Sequence, residues 1–411
     1  MTQSERIVDL ASSYTSDTAG NLSRMIRVPS LSGEEGPLVE LLGEMCNDAG
    51  LKEVRVDAFG NLIARVGHGP RVLAIDAHVD TVDTGDRSQW DDDPFGGKIV
   101  DGHVYGRGSV DQEGGAAAMI TAARILNELA YDGGWSVYFT FTVMEEDCDG
   151  LCWNYLIEEE QLVPEYAVIT EPTNLGVYRG HRGRMEIDIA FAGVSAHGSA
   201  PERGDNAIYH CARTALGVEE LNSTLSPDPF LGKGSVVVSR FRSSAPSLCA
   251  VADGAELHID RRLTWGETRA SALGEISRII RAADGAPQEA GHARPGEPAL
   301  SVTYYERPTH TGLRYPQESY FPTWKIEEDH PLVQAGVRTC SELFGEKPTV
   351  DKWTFSTNGV AICGKHGIPT IGYGPGNEIY AHAPNERTPI EHLRRASAFY
   401  ALLPHILEEE L

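Results

Sequence analysis

The chain lacks any uninterrupted run of the roughly 20 apolar residues that a membrane-spanning helix needs. It is also poor in positive charge: 35 Lys and Arg residues stand against 60 Asp and Glu residues, a formal net charge of −25. A chain this acidic is repelled by phosphate backbones and by anionic lipid. These two deficits argue against a membrane protein and against a nucleic-acid partner.

Cysteine is scarce, and the cysteines are not arranged in pairs. There is no Cys-x-x-Cys motif among the seven, which are Cys46, Cys148, Cys152, Cys211, Cys249, Cys340 and Cys363. That pattern favours reduced thiols over a disulfide scaffold or a structural zinc finger. Residues 1–14 are polar and lack the apolar stretch of a secretory signal. We therefore expect a cytoplasmic globular protein, whose 411 residues allow two to three domains.

Strand-like and helix-like segments alternate from residue 60 to 180 and again beyond residue 316, a pattern typical of a layered α/β sheet. The predicted elements are the strands Arg71–His78, Ser136–Met144, Tyr166–Thr170 and Ile368–Tyr373, and the helices Gly114–Leu129 and Ile390–Leu403.

Between these two parts the pattern changes. Apolar and polar residues alternate over 185–191, as in a strand with one face in water. The elements that follow are helices Asn206–Leu221 and Thr268–Ala283 and strands Ser235–Ser239, Ala255–Leu263 and Leu300–Tyr305. Their order, β-α-β-β-α-β, is that of a ferredoxin-like module. The predicted fold is therefore an α/β domain formed by residues 1–179 and 308–411, interrupted by a smaller domain of residues 180–307.

Histidine and acidic residues follow the predicted strands of the α/β domain. They are His78 and Asp80, the pair Glu145 and Glu146, Glu171, Asp111 in a glycine-rich turn, and His382 after a Gly-Pro-Gly loop. In open α/β sheets, ligands bind at the carboxyl ends of the strands. Carboxylates that converge there repel one another unless a cation neutralises them.

Mixed His and carboxylate ligands suit Zn²⁺ or a similar divalent ion, and two His with three carboxylates can hold two ions. Any one of these residues could be an ordinary solvated loop residue. The prediction of a two-metal site depends on their occurrence together.

The motifs around these residues resemble one enzyme family, the dinuclear-zinc aminoacylase/carboxypeptidase metallohydrolases. That family includes succinyl-diaminopimelate desuccinylase, acetylornithine deacetylase and glutamate carboxypeptidase. The resemblance covers nearly the whole chain and rests on Ala77-His-Val-Asp-Thr81, Gly106-Arg-Gly-Ser-Val-Asp111, Met144-Glu-Glu-Asp147, Thr170-Glu-Pro-Thr173, Ser195-Ala-His-Gly-Ser-Ala-Pro201, Gly374-Pro-Gly376 and His382-Ala-Pro-Asn-Glu386. The stretches Trp90–Phe95 and Phe355–Gly359 are most similar to a subgroup labelled selenium-metabolism-linked hydrolases.

The resemblance implies a set of metal ligands. His78 and Glu171 would hold one ion, Glu146 and His382 the other, and Asp111 would bridge the two. The ions would be zinc, with cobalt or manganese as alternatives, since such sites accept several metals.

The resemblance also implies catalytic roles beside the metals. Asp80 would orient the His78 ring, and Glu145 would be the general base that moves a proton from the metal-bridging water to the leaving nitrogen. A non-proline cis peptide is expected at Asp111–Gln112.

The inserted domain would be a lid and dimerisation module on an α/β/α catalytic domain with a mixed sheet. His197 would stabilise the oxyanion in its own or in a partner's active site. Arg262 would bind a substrate carboxylate, although a solvated sheet face is the alternative for its strand. Arg182 and Asn358 are further candidates for substrate contacts.

The expected function is metal-dependent hydrolysis of an amide bond in an N-acyl amino acid or a small peptide, by a homodimer. Two alternatives stay open. One is hydrolysis of an N-carbamoyl C–N bond, and the other is a catalytically inactive binding protein on the same scaffold.

Overall fold

The computed structural model describes residues 2–284, 288–289 and 293–410. Within these residues the α-helices are α1 Gln3–Ser13, α2 Thr15–Ile26, α3 Gly36–Asp48, α4 Glu113–Glu128, α5 Leu151–Glu158, α6 Ala207–Thr224, α7 Arg269–Asp284, α8 Pro331–Phe344 and α9 Ile390–Glu410. In the described part of the chain, no helix combines the length and apolar character needed to cross a bilayer.

The strands of the first half are β1 Glu53–Val56, β2 Leu62–Val66, β3 Arg71–His78, β4 Lys98–Val100, β5 His103–Tyr105, β6 Trp135–Thr142, β7 Tyr166–Ile169, β8 Val177–Tyr178, β9 Gly180–His181 and β10 Gly183–Ala192. Those that follow are β11 Pro227–Asp228, β12 Gly232–Lys233, β13 Ser235–Ser244, β14 Gly254–Leu263, β15 Gln288–Glu289, β16 Ala299–Val302, β17 Tyr304–Tyr305, β18 Gln317–Glu318, β19 Tyr320–Phe321, β20 Trp324–Lys325, β21 Val350–Asp351, β22 Thr370–Gly372 and β23 Arg387–Pro389.

The chain divides into two compact units. The first comprises Met1–Gly180, Glu306–Tyr315 and Lys325–Leu411, and the second comprises His181–Tyr305 and Pro316–Trp324. The predicted inserted domain was 180–307, whereas the second unit begins at His181, ends its first segment at Tyr305 and adds Pro316–Trp324. Pro316–Trp324 belongs to the second unit because β19 pairs with β10.

The first unit is built on an eight-stranded mixed sheet with the order β1-β2-β6-β3-β7-β22-β8-β21. Its centre, β6-β3-β7-β22, is parallel. Strand β3 is buried from Leu73 to His78, as expected for a central parallel strand covered on both faces. The alanine-rich helix α4 packs against α2 and α9.

A glycine allows α4 to approach the end of β7 closely. A Cβ atom on Gly115 would lie 2.2 Å from the Thr170 hydroxyl oxygen. Any larger residue at position 115 would therefore push on the segment that carries Glu171.

The second unit contains a sheet with the order β13-β14-β10-β16-β15, with β19 also paired to β10. Burial alternates along β10 and β14. Apolar side chains from one face pack with those of α6 and α7, including Ile187, Ile259, Val218 and Ile276. The order β10-α6-β13-β14-α7-β16 is the predicted β-α-β-β-α-β arrangement. The predicted fold class, a mixed α/β domain with an inserted ferredoxin-like domain, is confirmed.

Candidate metal centre

Three neighbouring strands of the first unit carry the predicted metal site on the residues at or just beyond their carboxyl ends. His78 is the last residue of β3, Glu145 and Glu146 follow β6, and Glu171 follows β7. Since these strands are adjacent and parallel, their carboxyl ends meet at one edge of the sheet. The structure thus brings these side chains together as predicted.

The His78 imidazole lies at the centre of the cluster and is buried. Its Nε2 atom is 3.0 Å from Asp111 Oδ1, 3.4 Å from Glu171 Oε1 and 3.8 Å from Glu145 Oε2. Two overlapping triads, His78 with Glu145 and Glu171 and His78 with Asp111 and Glu146, place their ligand atoms within 4.8 Å of one another. Each triad has the composition of a metal-binding group.

His382, which lies far from the other residues in the sequence, also belongs to the cluster. Its Nε2 atom is 3.0 Å from Glu146 Oε1 and 3.2 Å from Asp111 Oδ2. Asp111 therefore faces His78 with one carboxylate oxygen and His382 with the other, which is the arrangement expected of a shared ligand. The Asp111–Gln112 peptide bond is cis, so this prediction is confirmed.

The contacts within the cluster shift the pKa values of its members in different directions. Burial disfavours the ionised form of Asp111, but hydrogen bonds to His382 and His78 outweigh it and lower the pKa of Asp111. The hydrogen bonds that His382 donates to Asp111 and to Glu146 raise the pKa of His382 to about 10. Burial and the charge of Asp111 raise the pKa of Glu146 to about 7 and that of Glu171 to about 8. Without a bound cation, carboxylates of this site therefore stay protonated at pH values at which an exposed carboxylate is ionised.

The donor set fits divalent cations. Among the described residues, Oε1 of Glu145 and Oε2 of Glu171 are buried without a hydrogen-bond partner. An unpaired buried carboxylate oxygen is costly, and burial raises the pKa of Glu145 well above its usual range. A cation bound by Glu171 would offset the charge of these buried carboxylates.

Asp80 contacts both the His78 ring and the turn that follows β6. The His78 Nδ1 atom is 2.9 Å from the Asp80 backbone carbonyl oxygen and 3.5 Å from its carboxylate. The carboxylate also accepts the backbone N–H of Glu145 at 3.1 Å and that of Glu146 at 3.0 Å. Its main contacts therefore fix the turn that carries the two glutamates.

A buried ion pair joins the two loops that deliver Asp111 and His382. Arg107 Nη1 donates to Glu386 Oε2 at 2.6 Å, and both side chains are buried. The other oxygen of Glu386 accepts the N–H of Val110 and of Asp111. Both residues stand in motifs of the sequence, but no pattern indicated this contact.

Three predicted substrate-contacting residues lie in the second unit. His197 is exposed and its Nδ1 atom is 2.7 Å from the Ser199 hydroxyl oxygen. Arg262 forms a two-point pair with Asp260, at 2.9 and 3.0 Å. Arg182 donates to the Lys233 carbonyl oxygen at 3.0 Å.

Asn358 lies in the first unit and is buried, contrary to what a substrate contact would require. Its amide nitrogen donates to Asp76 at 2.9 Å, and its carbonyl oxygen accepts the N–H of Gly150 at 3.0 Å. Because these contacts are internal, the structure gives Asn358 a role in packing beneath the sheet edge.

An α/β sheet that gathers two imidazoles and four carboxylates at the carboxyl ends of its strands, in a chain that also carries an inserted ferredoxin-like unit, is typical of a class of metal-dependent hydrolases. Comparison with known proteins makes this more specific. The sequence profile of Peptidase family M20/M25/M40 matches residues 74–405. The chain belongs to this family.

Individual relatives support membership of this family. The uncharacterized protein YgeY of Escherichia coli (strain K12) is 49% identical over 398 residues, covering 97% of this chain and 96% of that protein. A succinyl-diaminopimelate desuccinylase of Cereibacter sphaeroides (strain KD131) is 36% identical over 202 residues, 46% of this chain and 53% of that protein.

A similar fold is found in the crystal structure of Bacillus subtilis YXEP, described as a dinuclear metal-binding peptidase of the M20 family. The TM-score is 0.70 at 16% identity, over 97% of this chain and 100% of that chain. As a member of Peptidase family M20/M25/M40, the chain is a metal-dependent hydrolase of amide bonds, and its His and carboxylate cluster is a site for divalent metal ions.

Proposed function

We propose that the chain cleaves the amide bond of an N-acyl amino acid or a small peptide, with two zinc ions in the cluster. The observation that carries the proposal is the convergence of His78, Asp111, Glu171 and His382 with two adjacent glutamates at one sheet edge. Buried carboxylate oxygens without a hydrogen-bond partner are unfavourable in an apolar core, but they can bind cations.

The proposed ligand assignment follows the contacts of the two imidazoles. His78 and Glu171 would hold one ion, Glu146 and His382 would hold the other, and Asp111 would contribute to both. When bound, two divalent ions supply positive charge that makes a water molecule more acidic and that stabilises negative charge on the substrate carbonyl oxygen.

Glu145 is the proposed general base. Its buried carboxylate has an oxygen without a hydrogen-bond partner, Oε1, and a carboxylate beside the proposed metal ligands is placed to accept and then release a proton. It takes the proton of the attacking water and delivers it to the amide nitrogen as that nitrogen leaves. Asp80 keeps the Glu145 backbone in place during both transfers.

Residues of the second unit are proposed to bind the substrate. Arg262 uses Nε and Nη2 in its pair with Asp260, so Nη1 remains for a substrate carboxylate. His197 is the proposed donor to the carbonyl oxygen, and Arg182 is a further candidate contact. Asn358 is not carried into this proposal because its amide is used internally.

The second unit is also the proposed dimer interface of a cytoplasmic enzyme. Strand β13 is at the edge of its sheet and exposes Val237 and Phe241. An exposed apolar edge strand can pair with a second chain.

A substrate panel tests the proposal. Zinc-loaded protein is assayed against N-acetyl, N-succinyl and N-carbamoyl amino acids and dipeptides, with released amine, carboxylate and ammonia measured separately. We expect release of amine and carboxylate, and its loss after chelation. Ammonia release from the N-carbamoyl compounds alone would establish the alternative reaction. No turnover with any compound, in protein that retains no metal after zinc loading, would favour the binding-protein alternative.

A further inference from the structure

The turn after β6 is held by side-chain oxygens along its whole length. Strand β6 ends at Thr142, and the next four backbone N–H groups bond to side chains. Val143 donates to Asn61 at 3.1 Å, Met144 to Glu35 at 3.0 Å, and Glu145 and Glu146 to the two oxygens of Asp80 at 3.1 and 3.0 Å. These four bonds replace the strand pairing that has ended.

Among the side chains that accept these four N–H groups, Glu35 binds the residue that precedes the two glutamates. Its side chain is buried at 0% exposure, and it bonds the residue that directly precedes the two active-site glutamates. Met144 has φ = +67°, in the left-handed region that non-glycine residues rarely adopt. A backbone in that region persists only where its surroundings hold it, and Oε1 of Glu35 provides such a contact.

The segment that carries Glu35 also contacts the end of β3. The Ser30 hydroxyl donates to the Val79 carbonyl oxygen at 2.8 Å, and the Ser32 hydroxyl donates to Asp80 Oδ2 at 2.7 Å. Residues 30–35 thus link the strand end bearing His78 to the turn bearing the glutamates. None of these residues is among the candidate metal ligands or the candidate base.

We propose that Glu35 is a positioning residue for hydrolysis: by accepting the Met144 N–H it sets the direction of the Glu145 and Glu146 side chains. This inference rests on the proposed function, because it assigns these two glutamates to proton transfer and to metal binding. Glu35 itself touches neither the substrate nor the ions.

Three variants separate positioning from general stability. Glu35→Leu removes the acceptor at similar volume, and Glu35→Gln keeps a carbonyl oxygen in reach of the Met144 N–H. Glu34→Leu is the matched control, since Glu34 is the neighbouring residue but is exposed. Each variant is measured for kcat, KM, zinc affinity by chelator competition, and hydrogen exchange of the amides at 144–146.

For Glu35→Leu we expect kcat to fall by about 10- to 100-fold, with KM within about 2-fold, because support of active-site groups is commonly worth this much. Zinc affinity should fall by about 10-fold or more, and the 144–146 amides should exchange faster. Glu35→Gln should keep kcat within about 3-fold, because it preserves the acceptor. Glu34→Leu should match the wild type.

Several results would overturn the inference: unchanged kcat and exchange in Glu35→Leu, or equal losses in Glu35→Gln and Glu35→Leu. If circular dichroism shows that Glu35→Leu is unfolded, Glu35→Asp takes its place. Its carboxylate is one methylene shorter, so it should lose kcat and amide protection, and normal values would refute positioning. If the wild type hydrolyses no panel compound, the proposed function fails, but zinc affinity and exchange still decide whether Glu35 positions this turn.

Discussion

Replacing Glu145 by glutamine gives a direct test of the proposed base. The carboxylate is buried, with 4% of the residue exposed, so bulk water cannot easily substitute for it. Glutamine has the same shape but cannot accept a proton. General acid–base catalysis contributes about 10²- to 10⁴-fold, so kcat should fall by that factor. At about 1.4 kcal/mol per factor of ten, the barrier rises by about 3–6 kcal/mol.

The neighbouring glutamate provides the matched comparison. Glu146 contacts His382, so Glu146→Gln should reduce zinc affinity, whereas Glu145→Gln should retain both zinc equivalents. Turnover of the preferred panel substrate and zinc content by mass spectrometry are measured on the same samples. Glu159→Gln, at an exposed position, controls for the mutation type.

The structure also allows a competing assignment, in which Glu145 is a metal ligand and not the base. Glu145 lies in a triad with His78 and Glu171 that could hold an ion. If Glu145→Gln lost a zinc equivalent while Glu146→Gln kept both, the two roles would be exchanged and the reasoning refuted.

Three further predictions concern the metals and their support. Asp111→Asn should lose both zinc equivalents because Asp111 faces both imidazoles; elemental analysis showing one full equivalent would contradict a shared ligand. Glu386→Leu should lower the free energy of unfolding by about 3–5 kcal/mol, since it leaves the buried Arg107 unpaired; denaturant unfolding of the metal-loaded protein would show it, and a change below about 1 kcal/mol would indicate that water replaces the partner. Chelated protein should become less stable as pH rises from about 4.5 to about 8. The folded-state pKa values of Glu146 and Glu171 are raised to about 7 and about 8, so folding retains protons that the unfolded chain releases in this range. Melting temperatures at several pH values, with and without zinc, test this; a chelated protein that becomes more stable over the range would contradict it.

The central elements could be predicted because their burial leaves a clear pattern. Strand β3 was predicted at its observed bounds, Arg71–His78, since a strand buried on both faces is a continuous apolar run. Helices α1, α2 and α3 were not predicted. Helix α9 was expected to stop at Leu403, before Pro404, but it continues to Glu410 with the proline inside. Packing outweighs the local cost of that proline.

The metal site could be predicted from motifs, but its supports could not. His78, Asp111 and His382 stand in recognisable motifs and at strand ends. Glu35 and Glu386 act through backbone N–H groups of distant residues, and no spacing in the sequence signals such a bond. Asn358 shows the reverse error: a motif position suggested a substrate contact, while the structure gives it internal partners.

The contact between Glu146 and His382 spans 236 residues. On the ribosome, at roughly 5–20 residues per second, the glutamates therefore emerge roughly 10–50 s before the second histidine. Throughout that interval the nascent chain carries an acidic half-site that can bind a cation only incompletely. Stable binding of divalent metal ions must then follow synthesis of the region around residue 382, and a chain that stalls within the inserted unit would lack one imidazole of the cluster.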